Sequence, residues 1–199
     1  DMILANTDFM GTVATTVAPV VNFTLGLKPT KTVMDAVLKV DKHRTFPKYA
    51  SKTFEKWYKK NVAAFQNSFP RHVSMFHGCY VNYNYPQLGK DLVSVMNALG
   101  YGVHLLENEK CCGTALISNG MIDQAKRNAA NNIESMRKSV YERQMPVIST
   151  SSSCTFTMRD EYPHLLGVKN EDVRDYIELA TRFIYKLIDL DKVKLVFKK

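Results

Sequence analysis

The chain has 199 residues, 45% of them hydrophobic, and its 27 basic and 19 acidic side chains leave a net charge of +8. This composition predicts a globular chain, and the charge favours an acidic protein, anionic lipid headgroups or nucleic acid as partner. Four cysteines, two of them adjacent, are too few and too irregularly spaced for a secreted disulfide scaffold. No run of about 18 apolar residues marks a spanning helix, and no charged-then-apolar start marks a secretory signal, so a cytoplasmic protein is expected.

Residues 1–70 are expected to form a mainly helical extension ahead of the main domain. Up to about residue 27 the chain is mildly apolar and interrupted by Gly11, Pro19 and Gly26, which predicts a covering or docking segment without one continuous helix. Packing on protein is favoured, and contact with a membrane surface stays open as the alternative. The apolar side chains concerned are Phe9, Val13, Val17, Val20, Val21, Phe23 and Leu25.

A basic, aromatic connector follows this segment. The apolar spacing of residues 31–39 predicts a short amphipathic helix. Residues 52–60 mix lysines with aromatic rings, a pattern that can follow a nucleic-acid backbone. Because no recognised nucleic-acid-binding module surrounds them, we predict instead a helix whose rings pack inward and whose lysines are solvated.

Residues 71–192 show the pattern of an α/β domain. Short apolar strands are predicted at residues 73–76, 102–106 and 146–150, and helices at 87–99, about 114–142 and 172–190. The last helix has Ile177, Ala180, Ile184, Leu187 and Ile188 as its buried stripe. Strands separated by helices of this length pair in parallel through right-handed crossovers, so the predicted fold is a layered βαβαβα domain.

Every cysteine follows the end of one of these strands. Cys79 follows the first strand, the adjacent Cys111 and Cys112 follow the second, and Cys154 follows the third. Parallel sheets collect their functional sites at this edge, so the four thiols are expected to converge. Gly113 permits the positive φ that a loop around a bulky group needs. Two buried thiols in a tight turn are the alternative, but that alternative does not explain the shared position.

The spacing of the cysteines limits the chemistry they can do. Intervals of 31 and 41 residues match neither the C-x₂-C pairs of structural zinc nor the cysteine runs of ferredoxins. Adjacent Cα atoms lie about 3.8 Å apart, so two vicinal thiolates crowd one metal ion but can reach different irons of a cluster. Lys110 and the backbone amides of Gly113 and Thr114 are candidates to tune its potential. No nucleophile, base and orienting acid occur together, so no hydrolase is predicted.

The motifs around these cysteines resemble a known family. Residues 77–79, 111–113 and 154–157 are similar to the cysteine-rich CCG domain found in the B subunit of heterodisulfide reductase and in the iron–sulfur subunits of glycolate oxidase. Residues 77–84, 86–92, 109–113 and 159–163 resemble, within that family, the C subunits of anaerobic glycerol-3-phosphate dehydrogenases. The similarity extends to residues 8–11 and 177–182.

This resemblance implies an iron–sulfur electron-transfer subunit of a bacterial respiratory complex, not itself catalytic. A flavin-containing partner would oxidise glycerol 3-phosphate, and this chain would pass the electrons towards membrane quinone while helping to anchor the complex, peripherally, on the cytoplasmic side of the inner membrane. Cys79, Cys111, Cys112 and Cys154 would bind a [4Fe–4S] or non-cubane cluster. Relatives of this kind carry a ferredoxin-like segment and two CCG domains, so residues 193–199 are expected to begin a second repeat.

One departure from the family pattern concerns the fourth ligand. The pattern closes with C-x-x-C, whereas Cys154 is followed three residues later by Thr157. Four thiols remain only when both vicinal cysteines are counted. A non-redox module for assembly and membrane docking, with a degenerate site, is therefore the alternative function. A thiol–disulfide enzyme that uses Cys111 and Cys112 is the third hypothesis, and only the neighbouring Lys110 supports it.

Overall fold

The computed structural model describes residues 7–38 and 41–193, and a four-stranded parallel sheet lies at its centre. The strands are β1 (Arg71–Phe76), β2 (Tyr101–Leu105), β3 (Val147–Ser149) and β4 (Ile177–Leu179), in the order β2-β1-β3-β4. All neighbouring strands are parallel, with Val73 opposite Val103 and Val147 opposite Ile177. These four side chains are fully buried, as expected for strands covered on both faces. The predicted α/β class with a parallel sheet is confirmed.

Helices and tight turns connect the strands. In the described part of the chain beyond residue 70, the helices are α5 (Gly78–Tyr83), α6 (Pro86–Ala98), α7 (Thr114–Ser118), α8 (Ile122–Arg137), α9 (Ser152–Phe156), α10 (Tyr162–His164) and α11 (Ala180–Asp189). Single π-helical turns continue α8 over Lys138–Glu142 and α9 over Thr157–Glu161. The predicted long helical region at 114–142 is therefore two helices and a π turn.

The sheet separates two apolar layers. The layer on one face includes Phe76, Leu116, Ile133, Met136 and Tyr162, and the layer on the other face includes Phe54, Met75, Met96, Ile148 and Leu187. All of these side chains are at most 5% exposed. The first layer places α8 beneath the loop that carries Cys111 and Cys112, so this helix can hold the loop in position.

The helix predicted over 172–190 is wrong in its first part. A 3₁₀ turn (Arg174–Tyr176) and β4 occupy those residues, and α11 begins only at Ala180. Ile177 is buried, as the predicted stripe requires, but it is buried opposite Val147 in the sheet. A three-residue strand is too short to show a period of two, so its apolar residue merges with the stripe of the helix that follows.

The extension before the sheet is helical, as predicted. It contains α1 (Thr7–Thr16), α2 (Ala18–Gly26), α3 (Lys28–Leu38) and α4 (Phe54–Asn61), followed by a 3₁₀ turn (Ala63–Ser68). The rings of Phe54 and Tyr58 are buried while Lys59 and Lys60 are exposed, which confirms the inward packing predicted for α4. No helix in the described residues is both long enough and apolar enough to cross a bilayer. The repeat expected to begin at residues 193–199 lies, after residue 193, outside the described residues.

Candidate functional site

The loops after β1, β2 and β3 meet at one edge of the sheet. The Sγ atoms of Cys112 and Cys154 lie 3.3 Å apart, and within the described residues, which include all four cysteines, no disulfide forms. A Cβ atom placed on Gly78 would lie 3.5 Å from the Sγ atom of Cys154, so the loop after β1 closes directly onto that sulfur. The three loops that carry the cysteines therefore meet in the fold, with Cys112 and Cys154 in direct contact.

The thiols of this edge are electrostatically linked. Hydrogen bonding to Cys111 and Cys154, together with burial, raises the pKa of Cys112 well above its usual range. The hydrogen bond that Cys154 accepts from Cys112 lowers the pKa of Cys154, against the opposing effect of burial. Cys112 is thus the protonated donor of this pair and Cys154 is the acceptor. In contrast, Cys79 lies with Cys111 on the wall of the neighbouring cavity.

A chain of hydroxyl groups leads away from Cys112. The Thr114 hydroxyl lies 3.3 Å from the Cys112 sulfur and 2.7 Å from the Thr157 hydroxyl, which donates to the Glu161 carboxylate at 2.5 Å. Thr157 is 1% exposed, so the residue at the position of the missing cysteine is fully buried. Thr157 is therefore part of the site, although as a hydrogen-bonding residue.

Glu109 fixes the end of β1 against the loop after β2. Its carboxylate accepts hydrogen bonds from the backbone amides of His77 and Gly78, at 3.0 and 2.8 Å, and lies 3.2 Å from Nδ1 of His77. Nδ1 of His77 also lies 3.1 Å from the Gly78 carbonyl oxygen. The role of Glu109 was not predicted from the sequence. The only signal was an acidic residue in a loop before a cysteine pair.

Two asparagines of α8 hold the cysteine loop from below. Asn132 accepts from the Lys110 amide at 2.8 Å and donates to the Lys110 carbonyl at 3.0 Å, and Asn128 donates to the Cys111 carbonyl at 3.2 Å. Both are buried, and Gly113 follows with a φ of 93°. These asparagines were not predicted from the sequence. A side-chain amide on the buried face of a helix needs a hydrogen-bond partner, and the backbone of a neighbouring loop can supply it.

A cavity of about 590 Å³ opens beside the thiols. Its lining combines Cys79 and Cys111 with mostly charged and polar residues and two leucines: Glu55, Lys59, His77, Gly78, Asn82, Tyr83, Leu105, Leu106, Glu107, Asn108, Glu109 and Lys110. Among the described residues, no three His, Cys, Asp or Glu side chains are grouped to hold a single metal ion.

The donor set fits an iron–sulfur cluster in type. Thiolates are the ligands that iron and sulfide prefer, and the loops that carry those of this chain meet at one edge of the sheet, where Cys79 and Cys111 line an open cavity. Ser151 caps α9 by accepting from the Cys154 amide at 3.2 Å, which fixes the backbone of Cys154.

The part of the chain with the parallel sheet flanked by helices, and with cysteines after its strands, resembles a known protein family. Residues 73–159 match the family of the cysteine-rich domain (CCG). The resemblance predicted from the sequence is confirmed.

The similarity to one protein reaches beyond this domain. Over 192 residues, or 96% of its length, the chain is 52% identical to the C subunit of the anaerobic glycerol-3-phosphate dehydrogenase of Escherichia coli K12, and it covers 48% of that protein. It is 38% identical over 127 residues to lactate utilization protein A of Bacillus subtilis, covering 61% of this chain and 51% of that protein.

A methanogen protein is a further relative. The chain is 32% identical over 123 residues to the D subunit of the dihydromethanophenazine:CoB–CoM heterodisulfide reductase of Methanosarcina barkeri, covering 60% of this chain and 29% of that protein. The chain thus spans about half the length of the E. coli relative. No solved structure matches it significantly.

Proposed function

We propose that this chain carries an iron–sulfur cluster and transfers electrons within a glycerol-3-phosphate dehydrogenase complex. The observation that carries the proposal is the meeting of the three cysteine-bearing loops at one sheet edge, where Cys112 and Cys154 touch without a disulfide and Cys79 and Cys111 line the same cavity. Cys79, Cys111, Cys112 and Cys154 would hold the cluster, which supplies one-electron chemistry when bound. The similarity to the E. coli protein supports the choice of complex.

The surrounding residues are suited to orient such ligands. Asn132 and Asn128 bind the backbone of Lys110 and Cys111, which fixes the direction of the vicinal thiols. Glu109 occupies the amides of His77 and Gly78 ahead of Cys79 and so holds that loop. Outer hydrogen bonds of this kind set ligand orientation and reduction potential in metal sites.

The partners and location follow from the same proposal. A flavin-containing subunit would deliver electrons from glycerol 3-phosphate, and membrane quinone would receive them. The N-terminal helices present apolar side chains to solvent, including Val20 at 63% and Phe23 at 68% exposure, and the chain carries a net charge of +8. Both features suit a peripheral contact with partner subunits or with the anionic cytoplasmic face of the inner membrane.

Anaerobic reconstitution of the 199-residue chain with iron and sulfide tests the cluster. We expect bound iron and acid-labile sulfide, a brown colour that bleaches on reduction, and an electron paramagnetic resonance signal. Cys79→Ser, Cys111→Ser, Cys112→Ser and Cys154→Ser should each lower the iron content. Because every cysteine belongs to the site, the matched control is Ser153→Ala, an exposed neighbour of Cys154 that should load normally.

A non-redox assembly and docking module is the second candidate, and Thr157 favours it. This residue replaces the closing cysteine, and its hydroxyl is engaged by Thr114 and Glu161. A chain that stays colourless after reconstitution and still binds its partner subunits supports this second candidate. Full iron content and an unchanged signal in Cys112→Ser would reject the four-thiol ligand set.

A further inference from the structure

Two thiols of the site are arranged as a redox pair. We propose that, in the chain without a cluster, Cys154 reacts with hydrogen peroxide and Cys112 resolves the product to a reversible disulfide. This reaction does not depend on the proposed electron-transfer function, because it requires only the apoprotein and a small peroxide. It adds a modification site to a loop pair whose cysteines otherwise serve as ligands.

The geometry selects Cys112 and Cys154 as the pair. Their sulfurs lie 3.3 Å apart, and since a disulfide bond is about 2.05 Å long, an approach of roughly 1.3 Å completes the bond. Adjacent Cys111 and Cys112 are a poorer pair, because neighbouring Cα atoms are about 3.8 Å apart and disulfides usually need about 4.4–6.8 Å.

The hydroxyl groups beside Cys112 hold it on the buried side of the pair. Thr157 gives its single proton to Glu161, so at the 2.7 Å contact Thr114 must donate to Thr157. The Thr114 hydroxyl also lies 3.3 Å from the Cys112 sulfur, which keeps Cys112 in contact with Cys154. The thiolate is the reactive form of cysteine, so the sulfur that peroxide reaches first becomes the site of oxidation.

Exposure sets the order in which the two sulfurs react. Cys112 is 4% exposed, whereas Cys154 is partly exposed and is preceded by the exposed Ser152 and Ser153. Peroxide therefore reaches Cys154 first, and Cys112 waits within contact distance as the resolving thiol. Oxidation-sensitive cysteines in proteins commonly show this arrangement of an accessible thiolate beside a second thiol.

The reaction balances in two steps. The Cys154 thiolate attacks hydrogen peroxide, the O–O bond breaks, and Cys154 sulfenic acid and hydroxide form. The Cys112 sulfur then attacks the Cys154 sulfur, the S–O bond breaks, and the departing hydroxide takes the Cys112 proton as water. Peroxide gains the two electrons that the two thiols lose. The disulfide keeps both sulfurs from irreversible oxidation and withholds two thiols from any cluster until a reductant restores them.

Peroxide treatment of the 199-residue chain, purified without metal, tests the proposal. After a stoichiometric dose, the remaining thiols are alkylated, the chain is digested with trypsin, and the peptides are analysed by mass spectrometry. We expect residues 111–126 linked to residues 144–159, two fewer alkylated thiols per chain, and full recovery after dithiothreitol.

Matched serine variants identify the resolving thiol. The linked peptide should persist in Cys111→Ser and disappear in Cys112→Ser, where Cys154 should instead be trapped by dimedone as sulfenic acid. Absence of the linked peptide in the wild-type chain overturns the proposal, and so does its loss in Cys111→Ser. The wild-type and Cys111→Ser arms decide the question even where Cys112→Ser does not fold.

Discussion

Thr157 is the residue at which this chain departs from the CCG pattern, and it has a defined structural role. Its hydroxyl joins Thr114 at 2.7 Å and Glu161 at 2.5 Å in a fully buried position. A buried hydroxyl with both partners satisfied contributes to stability, and its removal leaves those partners without a hydrogen bond. Thr157 thus takes the position of the closing cysteine in that pattern as a hydrogen-bonding residue.

Thr157→Val removes this hydroxyl and keeps the shape of the side chain. We expect the free energy of unfolding to fall by about 1–3 kcal/mol, because Thr114 and Glu161 lose a buried partner. Urea denaturation measures the change. Thr15→Val is the matched control, since the buried Thr15 hydroxyl makes no hydrogen bond and its removal should not destabilise. Equal stability of Thr157→Val and the wild-type chain would show that the hydroxyl chain contributes nothing.

At the scale of elements, α8 supports the loop that carries the vicinal cysteines. Asn132 makes two hydrogen bonds to the backbone of Lys110 and a third, at 3.1 Å, to the hydroxyl of Tyr162. Because Asn132 is 1% exposed, water cannot replace these bonds readily. One side chain therefore joins the cysteine loop, α8 and α10.

Asn132→Ala should loosen this loop. We expect a loss of about 1–3 kcal/mol in the free energy of unfolding, with faster amide hydrogen exchange over residues 109–113. Asn131→Ala is the control one position away: Asn131 donates to the Asn108 carbonyl at an exposed site, so its loss should cost less than about 0.5 kcal/mol. Unchanged exchange at Lys110 in Asn132→Ala would contradict the supporting role of the helix.

Strand ends and helix periodicity made the sheet and the meeting of the cysteine-bearing loops predictable. β1 and α6 lie within two residues of their predicted bounds. The polar contacts made by Glu109 and Asn132 were not predictable, because they join residues 31–32 and 22 positions apart and depend on the exact approach of two elements. The short strand β4 was missed because a following helix continues its apolar pattern.

For the whole molecule, a histidine pair on the sheet links stability to pH. Nε2 of His104 on β2 lies 3.1 Å from Nδ1 of His72 on the adjacent β1. Burial, His72 and the nearby Arg143, itself paired with Glu107, lower the pKa of His104 below its usual value of about 6.5. Between the lowered pKa and 6.5, the unfolded chain binds more protons at this residue than the folded chain does. The contribution of His104 to the free energy of unfolding therefore decreases as the pH falls through this range.

We expect the free energy of unfolding of the wild-type chain to fall as pH decreases from about 7.5 to 5. One histidine contributes at most about 1.4 kcal/mol per pH unit to this slope, because it accounts for at most one proton. His104→Gln, which cannot titrate, should reduce the slope, whereas the exposed His43→Gln should leave it unchanged. Urea denaturation at pH 5, 6 and 7.5 measures all three slopes. Acid also adds positive charge to a chain that already carries +8, so the His43 variant controls for general charge repulsion. Equal slopes for all three chains would assign the pH dependence to that repulsion and not to His104.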